Sequence, residues 1–196
     1  MAYYGPIGAW QHSLATLSYV PGWVGFKARK KLHRAYVKRA LEHFEVIEKG
    51  LGPTDICVDL GANYGVFTKQ LAATGAQVHA FAPDPDTFAI LKKNVGGYPN
   101  VTLHQKAVAQ TGGTLILHRL AEGIASTDEK RSWGSSLIAS ERSSDTDKVD
   151  VEVIAFNQLL QEIAAPIRMI KMDIEGSEVE ILQALTAEPE ANDIEA

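Results

Sequence analysis

Asp55-Ile-Cys-Val-Asp-Leu-Gly-Ala-Asn-Tyr-Gly65 is a short apolar run that ends in an acid and then breaks into glycines. Ile56, Val58 and Leu60 have the branched, apolar character of a buried parallel strand, and Gly61 to Gly65 form the tight turn after it. Phe67 to Ala73 then reads as a helix, so the unit is strand, glycine turn, helix. Such a turn sets backbone N–H groups and the positive end of a helix beside a ligand, with no side chains at the glycines to block its approach.

The spacing Asp-x-Gly-x-Asn-x-Gly is neither Gly-x-Gly-x-x-Gly nor a phosphate loop ending in Gly-Lys-Ser/Thr. An acid at the strand tip suits a ligand with positive charge, such as the amino group or sulfonium of S-adenosylmethionine, better than it suits a pyrophosphate. The same spacing disfavours a nucleotide-dependent oxidoreductase. The competing reading of the turn is that its glycines only close a tight strand-to-helix connection.

Outward from this unit the pattern repeats. Gln77 to Phe81 reads as a second strand ending in Ala82-Pro-Asp-Pro-Asp86, Thr87 to Asn94 as a helix, and Val101 to Ala109 as a third strand by its alternation. Strand alternating with helix predicts a parallel α/β sheet with right-handed crossovers. Thr114 to His118 and Val149 to Ala155 read as two further strands around a polar, Ser-rich excursion. It holds Trp133-Gly-Ser-Ser-Leu137, an aromatic-flanked turn suited either to closing over a substrate or to a disordered excursion. Asn157 to Ile163 reads as a short helix. Arg168-Met-Ile-Lys-Met-Asp173 is the fourth parallel strand, and it runs into Asp173-Ile-Glu-Gly-Ser-Glu178 and a helix through Leu185. Both the first and the fourth strand thus deliver acids and glycine to the carboxyl edge, where open α/β sheets bind ligands. Glu178 suits the first turn of its helix as well as it suits catalysis.

The 196 residues, 45% hydrophobic and 22% charged, fit one soluble domain preceded by an N-terminal segment. The division falls at Gly50-Leu-Gly-Pro53, giving 1–49 and 50–196. A net charge of -5 does not suggest nucleic acid as a partner. Cys57, the single cysteine, lies in the apolar strand and reads as a core residue in a reducing, cytoplasmic setting. Prolines and glycines interrupt residues 3 to 26 too often for a spanning helix. Lys27 to Lys49 reads as an amphipathic helix whose first half is strongly basic. It is either a solvated face or, with Trp10, Trp23 and Phe26, a peripheral contact to an anionic membrane or a glycolipid.

With both strand tips in view, the chain resembles the FkbM family of S-adenosylmethionine-dependent methyltransferases. The matching residues are Val58-Asp-Leu-Gly-Ala-Asn-Tyr-Gly-Val-Phe-Thr68, Ala80-Phe-Ala-Pro-Asp-Pro85 and Ile170-Lys-Met-Asp-Ile-Glu-Gly-Ser-Glu178. The resemblance implies a class I, Rossmann-like methyltransferase sheet with flanking helices, S-adenosylmethionine as cofactor, and O-methylation of a hydroxyl on a sugar, glycolipid or natural product. It also implies the site. Asp59 would orient the methionine end, Gly61, Ala62, Asn63 and Gly65 would let the backbone approach, and Thr68 would cap the helix or touch the carboxylate. Ala82 would lie beside the ribose, with Ala107 and Val108 near the adenine edge.

Two departures stand out. The family usually carries glutamate where this chain has Ala82, and losing such a charge-assisted contact costs on the order of 1.5–3 kcal/mol; Asp84 or Asp86 is then the substitute for reaching the ribose diol. The family's sheet has seven strands, and only Thr186 to Ala196 follows the last helix, which predicts a chain truncated after its fourth parallel strand and helix. The strand left at the edge invites a partner or a homodimer.

An aliphatic hydroxyl is a weak nucleophile at neutral pH, so a carboxylate base helps the transfer. Asp173 and Glu175 are the catalytic candidates. Lys171 ranks below them, since strand alternation aims it with Asp173 but deeper in the sheet. No ligand cluster makes a metal the default. The acceptor expected is a small molecule or a glycan, and the competing function is a non-catalytic binding or scaffold protein with weakened cofactor affinity.

Overall fold

Ile56–Leu60 is β1, and four of its five residues are buried. The structure, a computed structural model, describes residues 13, 16–17, 19–120, 146–174 and 176–187, which fall into two units, Met1–Gly50 and Leu51–Ala196. The Ser-rich excursion with Trp133-Gly-Ser-Ser-Leu137, the segment at Trp10, the catalytic candidate Glu175 and the residues after 187 lie outside the described ones.

Among the described residues of the first unit, α1 (Trp23–Glu48) begins after Gly22 at φ 81°. Its start is four residues earlier than the basic run suggests, so Trp23 and Phe26 belong to the helix.

In the second unit, β1 is followed by α2 (Val66–Ala73), β2 (Gln77–Phe81), α3 (Pro85–Val95) and β3 (Val101–His104). Asp84 caps α3, its Oδ1 accepting from the backbone N–H of Asp86 at 3.0 Å and of Thr87 at 2.8 Å. Pro85 takes the first helical position, where no N–H is needed, so the helix starts two residues before Thr87. Four further elements follow, β4 (Ala107–Ala109), β5 (Gly113–Leu120), β6 (Thr146–Ala155) and α4 (Phe156–Ile163). The last two are β7 (Met169–Met172) and α5 (Glu178–Ala187).

The main sheet is parallel throughout, in the order β3-β2-β1-β7. Strand β1 sits between β2 and β7, with Asp59 opposite Ala80 on one side and Lys171 on the other. Strand β7 is an edge among the described residues, and a groove of about 390 Å³ lined by Ile167, Met169, Met172, Leu182 and Leu185 runs beside it. One face of the sheet, carrying Val58, Leu60 and Phe81, packs with Phe156 and Leu159 of α4 and Ile181 of α5. On the other face Ala80 packs with Leu91 and Val95 of α3. Cys57 is fully buried, and burial with the nearby Asp55 carboxylate pushes its thiol up to about 11.

The single third strand expected over Val101 to Ala109 is two strands. The parallel ladder ends at His104, and Ala107–Ala109 pairs instead with β6 in a second sheet, β4-β6-β5, whose β5 and β6 are antiparallel. Ala107, Val108 and Ala109 are all buried, so this run is enclosed on both sides and no longer alternates.

His79 and His104 meet across β2 and β3, Nδ1 to Nε2 at 3.2 Å, and the His104 ring stacks on Phe81 with centroids 4.2 Å apart. Burial lowers the His79 pKa. It also pushes His104 down to about 4, helped by His79 and Lys106 and opposed by Glu162 of α4. Between pH 6.5 and 4 the unfolded chain therefore binds more protons here than the folded one. The stability from these groups is complete above pH 6.5 and is lost as pH falls toward 4, by roughly 2 kcal/mol for rings this partly buried. Urea titrations across that range should show the decline, and His104→Phe, which keeps the stack, should flatten it. An equal slope in the variant would place the acid sensitivity elsewhere.

Candidate active site

The turn after β1 has positive φ at Gly61 (77°), Asn63 (50°) and Gly65 (87°). Its backbone closes on itself through Gly65 N–H to Ala62 O at 2.8 Å and is tied to β2 by Gly61 and Ala62 N–H donating to Phe81 O. Gly65 is the N-cap of α2 and has no side chain with which to cap it, and the helix carries no acid in its first turn. The positive end of a helix with no acid in its first turn is a favourable place for a ligand's carboxylate.

The glycines serve the protein as well as any ligand. A Cβ on Gly61 would overlap the backbone carbonyl of Asp173, and one on Gly65 would stand 2.8 Å from Leu91 Cδ1 and 3.0 Å from Val95 Cγ1. Gly61 thus lets the tip of β7 lie directly against the tip of β1, and Gly65 lets α3 pack under the turn.

Asp59 does not face open space. It is 0% exposed, its Oδ2 accepts from Thr68 Oγ1 at 2.7 Å, and its Oδ1 lies 3.2 Å from Lys171 Nζ. That second contact is an ion pair off the hydrogen-bond direction, so Oδ1 has a counter-charge but no aligned donor. Lys171, 15% exposed, donates to Gly61 O at 2.8 Å, stands 3.9 Å from Asp173 Oδ2, and lies 5.4 Å from the centre of the Phe67 ring. Asp59, expected to orient the methionine end of the cofactor, thus has a counter-charge inside the protein. Thr68 donates its hydroxyl hydrogen to the Asp59 carboxylate. Lys171, ranked below Asp173 and Glu175 as lying deeper in the sheet, extends its ammonium up to the glycine turn.

Asp173 stands at the end of β7 with its side chain 69% exposed and its N–H donating to Leu60 O at 3.0 Å. The turn that follows is held by Glu178, whose Oε1 accepts from Ile174 N–H at 2.8 Å and Oε2 from Gly176 N–H at 2.7 Å. Glu178 therefore has its structural role, shaping the loop that contains Glu175.

Ala82, 2% exposed, packs with Ala62, Ala80 and Leu91, so its side chain belongs to the core beneath the turn. Asp84 Oδ1 is committed to the α3 cap, which takes that oxygen away from a ribose diol. Ala107 and Val108 are buried in two different clusters, Ala107 with Leu117 and Val153 and Val108 with Leu60 and Ile154, and neither offers a side chain to an open surface.

The parts that do converge at one edge are the turn 61–65, the start of α2 and the exposed carboxylate of Asp173. They lie where β1 has neighbours on both sides, the position at which parallel α/β sheets take nucleoside ligands. The positive start of α2 suits the carboxylate of a methionine moiety, and the Asp173 carboxylate beside it is open to solvent. This is the class I methyltransferase arrangement. The profile of the methyltransferase FkbM domain matches residues 59–196, and the chain belongs to that family, whose cofactor is S-adenosylmethionine. The hexuronic acid methyltransferase AglP of Haloferax volcanii is 30% identical over 137 residues, 67% of this chain and 50% of that protein. A ribosomal RNA small subunit methyltransferase A of Thermotoga petrophila is 35% identical over 80 residues, 40% of this chain and 31% of that one. The solved structure of an rRNA methylase from Streptococcus thermophilus is similar over 32% of this chain and 36% of that one, at 22% identity and a TM-score of 0.31. The chain spans half or less of the length of these curated relatives.

Proposed function

We propose that this chain binds S-adenosylmethionine at the turn 61–65 and serves an O-methyltransferase whose acceptor is a hydroxyl on a sugar, in a glycan or glycolipid. The observation that carries the reading is the contact between the tips of β1 and β7, which sets the exposed Asp173 carboxylate beside the glycine turn and the start of α2. A sugar acceptor is favoured over RNA by the net charge of -5, and by the similarity to AglP, which covers more of this chain than the similarity to the rRNA enzyme does.

When bound, S-adenosylmethionine supplies an electrophilic methyl on a sulfonium. The chain's own residues orient and deprotonate. The N–H groups of α2 hold the cofactor's carboxylate, Lys171 keeps the two strand tips in register, and Asp173 takes the proton from the acceptor hydroxyl. Glu175, two residues further along, is the second candidate for that proton. Gly61, Ala62, Asn63 and Gly65 supply the backbone of the cradle, while Asp59, Thr68, Ala82, Ala107 and Val108 support it from within.

Calorimetry with S-adenosylmethionine, followed by transfer of labelled methyl to hexuronic acids and neutral sugars, tests the reading. Asp173→Asn should lower turnover by about 10²- to 10⁴-fold while leaving cofactor affinity within a few-fold. A folded sample that gives no heat with millimolar cofactor would reject the proposal. Cofactor binding without transfer to any sugar would instead favour the non-catalytic alternative.

A further inference from the structure

The N-terminal unit carries a surface that methyl transfer does not call for. Trp23 is 67% and Phe26 50% exposed, and Leu17, Tyr19, Val20 and Val24 around them are exposed as well. Cations share this surface: Lys27 Nζ lies 3.8 Å from the centre of the Trp23 ring, and Lys30 Nζ 4.9 Å from that of Phe26. At about 100° per residue, Trp23, Lys27, Lys30, Arg34 and Lys38 occupy roughly a quarter of the circumference of α1. Gly25 and Ala28, which are buried, fall on the far side. Every Lys and Arg of α1 lies within residues 27–39, next to its aromatic end, and its acids Glu42, Glu45 and Glu48 are all at the other end.

Large apolar side chains beside a one-signed charged face are costly in water and suited to a boundary that is apolar below and anionic above. Aromatic rings settle at headgroup depth, and lysine stems lie along apolar surface while their ammonium groups reach phosphate. We propose that about the first four turns of this face of α1 dock on a membrane containing anionic phospholipid, with Trp23 and Phe26 entering the headgroup layer, Lys27, Lys30 and Arg34 against the phosphates, and the end carrying Glu45 and Glu48 tilted away from it. Nucleic acid would use the cations and could stack the rings, but would leave Leu17, Val20 and Val24 without a role. No described helix is long and apolar enough to cross a membrane, so the contact is peripheral as far as these residues go. The inference stands apart from the methyl-transfer reading.

Flotation of the full chain with vesicles of phosphatidylcholine alone, or of phosphatidylcholine mixed with phosphatidylglycerol, tests it. Binding is expected to the mixed vesicles only. Replacing Lys27, Lys30 and Arg34 with alanine should weaken it about fivefold per cation, roughly a hundredfold for all three. Trp23→Ala with Phe26→Ala should abolish the part that survives raised salt. Circular dichroism of each variant should match the parent, because all five side chains are exposed. Failure to float with either vesicle, equal flotation with neutral vesicles, or affinity unchanged by the triple substitution would overturn the proposal. So would retardation of a single-stranded RNA by a chain that ignores both vesicles, which would assign the face to nucleic acid.

Discussion

Lys171→Met is expected to destabilise the fold by about 3–5 kcal/mol, because it leaves the fully buried Asp59 carboxylate with no counter-charge. The methionine keeps most of the lysine stem's volume, so little of the loss comes from packing. The contact to Asp173 contributes little, being 3.9 Å long with that side chain largely in solvent. The double variant Asp59→Asn with Lys171→Met removes both charges and leaves an amide oxygen to accept from Thr68, so it should recover most of the stability. Urea denaturation of the parent, the two single variants and the double gives the coupling directly. Cofactor affinity should behave differently: the hydrogen bond from Lys171 to Gly61 O is absent in the double variant too, so binding should stay weakened when stability returns. A double variant no more stable than Lys171→Met would mean that the ion pair is not what holds this position.

Much of the frame was legible because strand tips carry their own punctuation. Acid and glycine after an apolar run marked the ends of β1 and β7, and both strands lie side by side in the parallel sheet. The pairing of Asp59 with Lys171 was also within reach. Asp59 stands two residues before Gly61, and Lys171 two before Asp173, so two neighbouring parallel strands with level tips put the two side chains opposite each other. Considering Lys171 along its own strand alone hid this. The break between His104 and Ala107 was marked only by the polar run His104-Gln-Lys106, and it is pairing with β6, almost fifty residues on, that pulls the chain into a second sheet. His79 and His104 lie twenty-five residues apart in the sequence, and their contact exists only through the β2–β3 register. The support of the site lay similarly out of view. Asp84 reads as a ribose ligand until α3 is seen to start at Pro85 and claim its carboxylate.

Gly61→Ala should be the most damaging of the conservative changes in the turn, and it separates the two reasons for having glycine there. If the residue only clears a path for the ligand, a methyl would weaken binding and leave the fold alone. Here φ is 77° and the methyl would overlap the Asp173 carbonyl. An alanine in the left-handed region costs roughly 1–2 kcal/mol by itself. The collision adds to that, because backbone yields less readily than a side-chain end. Moving Asp173 away would strain its N–H bond to Leu60 O and the Lys171 bond to Gly61 O, the contacts that join the two strand tips. The expected result is a loss of more than about 2 kcal/mol in stability together with a loss of at least tenfold in S-adenosylmethionine affinity. Gly65→Ala should be milder, since its methyl would meet the ends of Leu91 and Val95, which can shift. Gly97→Ala, with nothing within 4 Å, should stay within about 0.5 kcal/mol of the parent. Thermal unfolding and calorimetry on the three variants should therefore rank them Gly61, Gly65, Gly97 in both measurements. A Gly61→Ala chain that is stable yet unable to bind would restore the simpler view of the turn as a cleared approach, and one that binds normally would mean that the tips of β1 and β7 are not in contact.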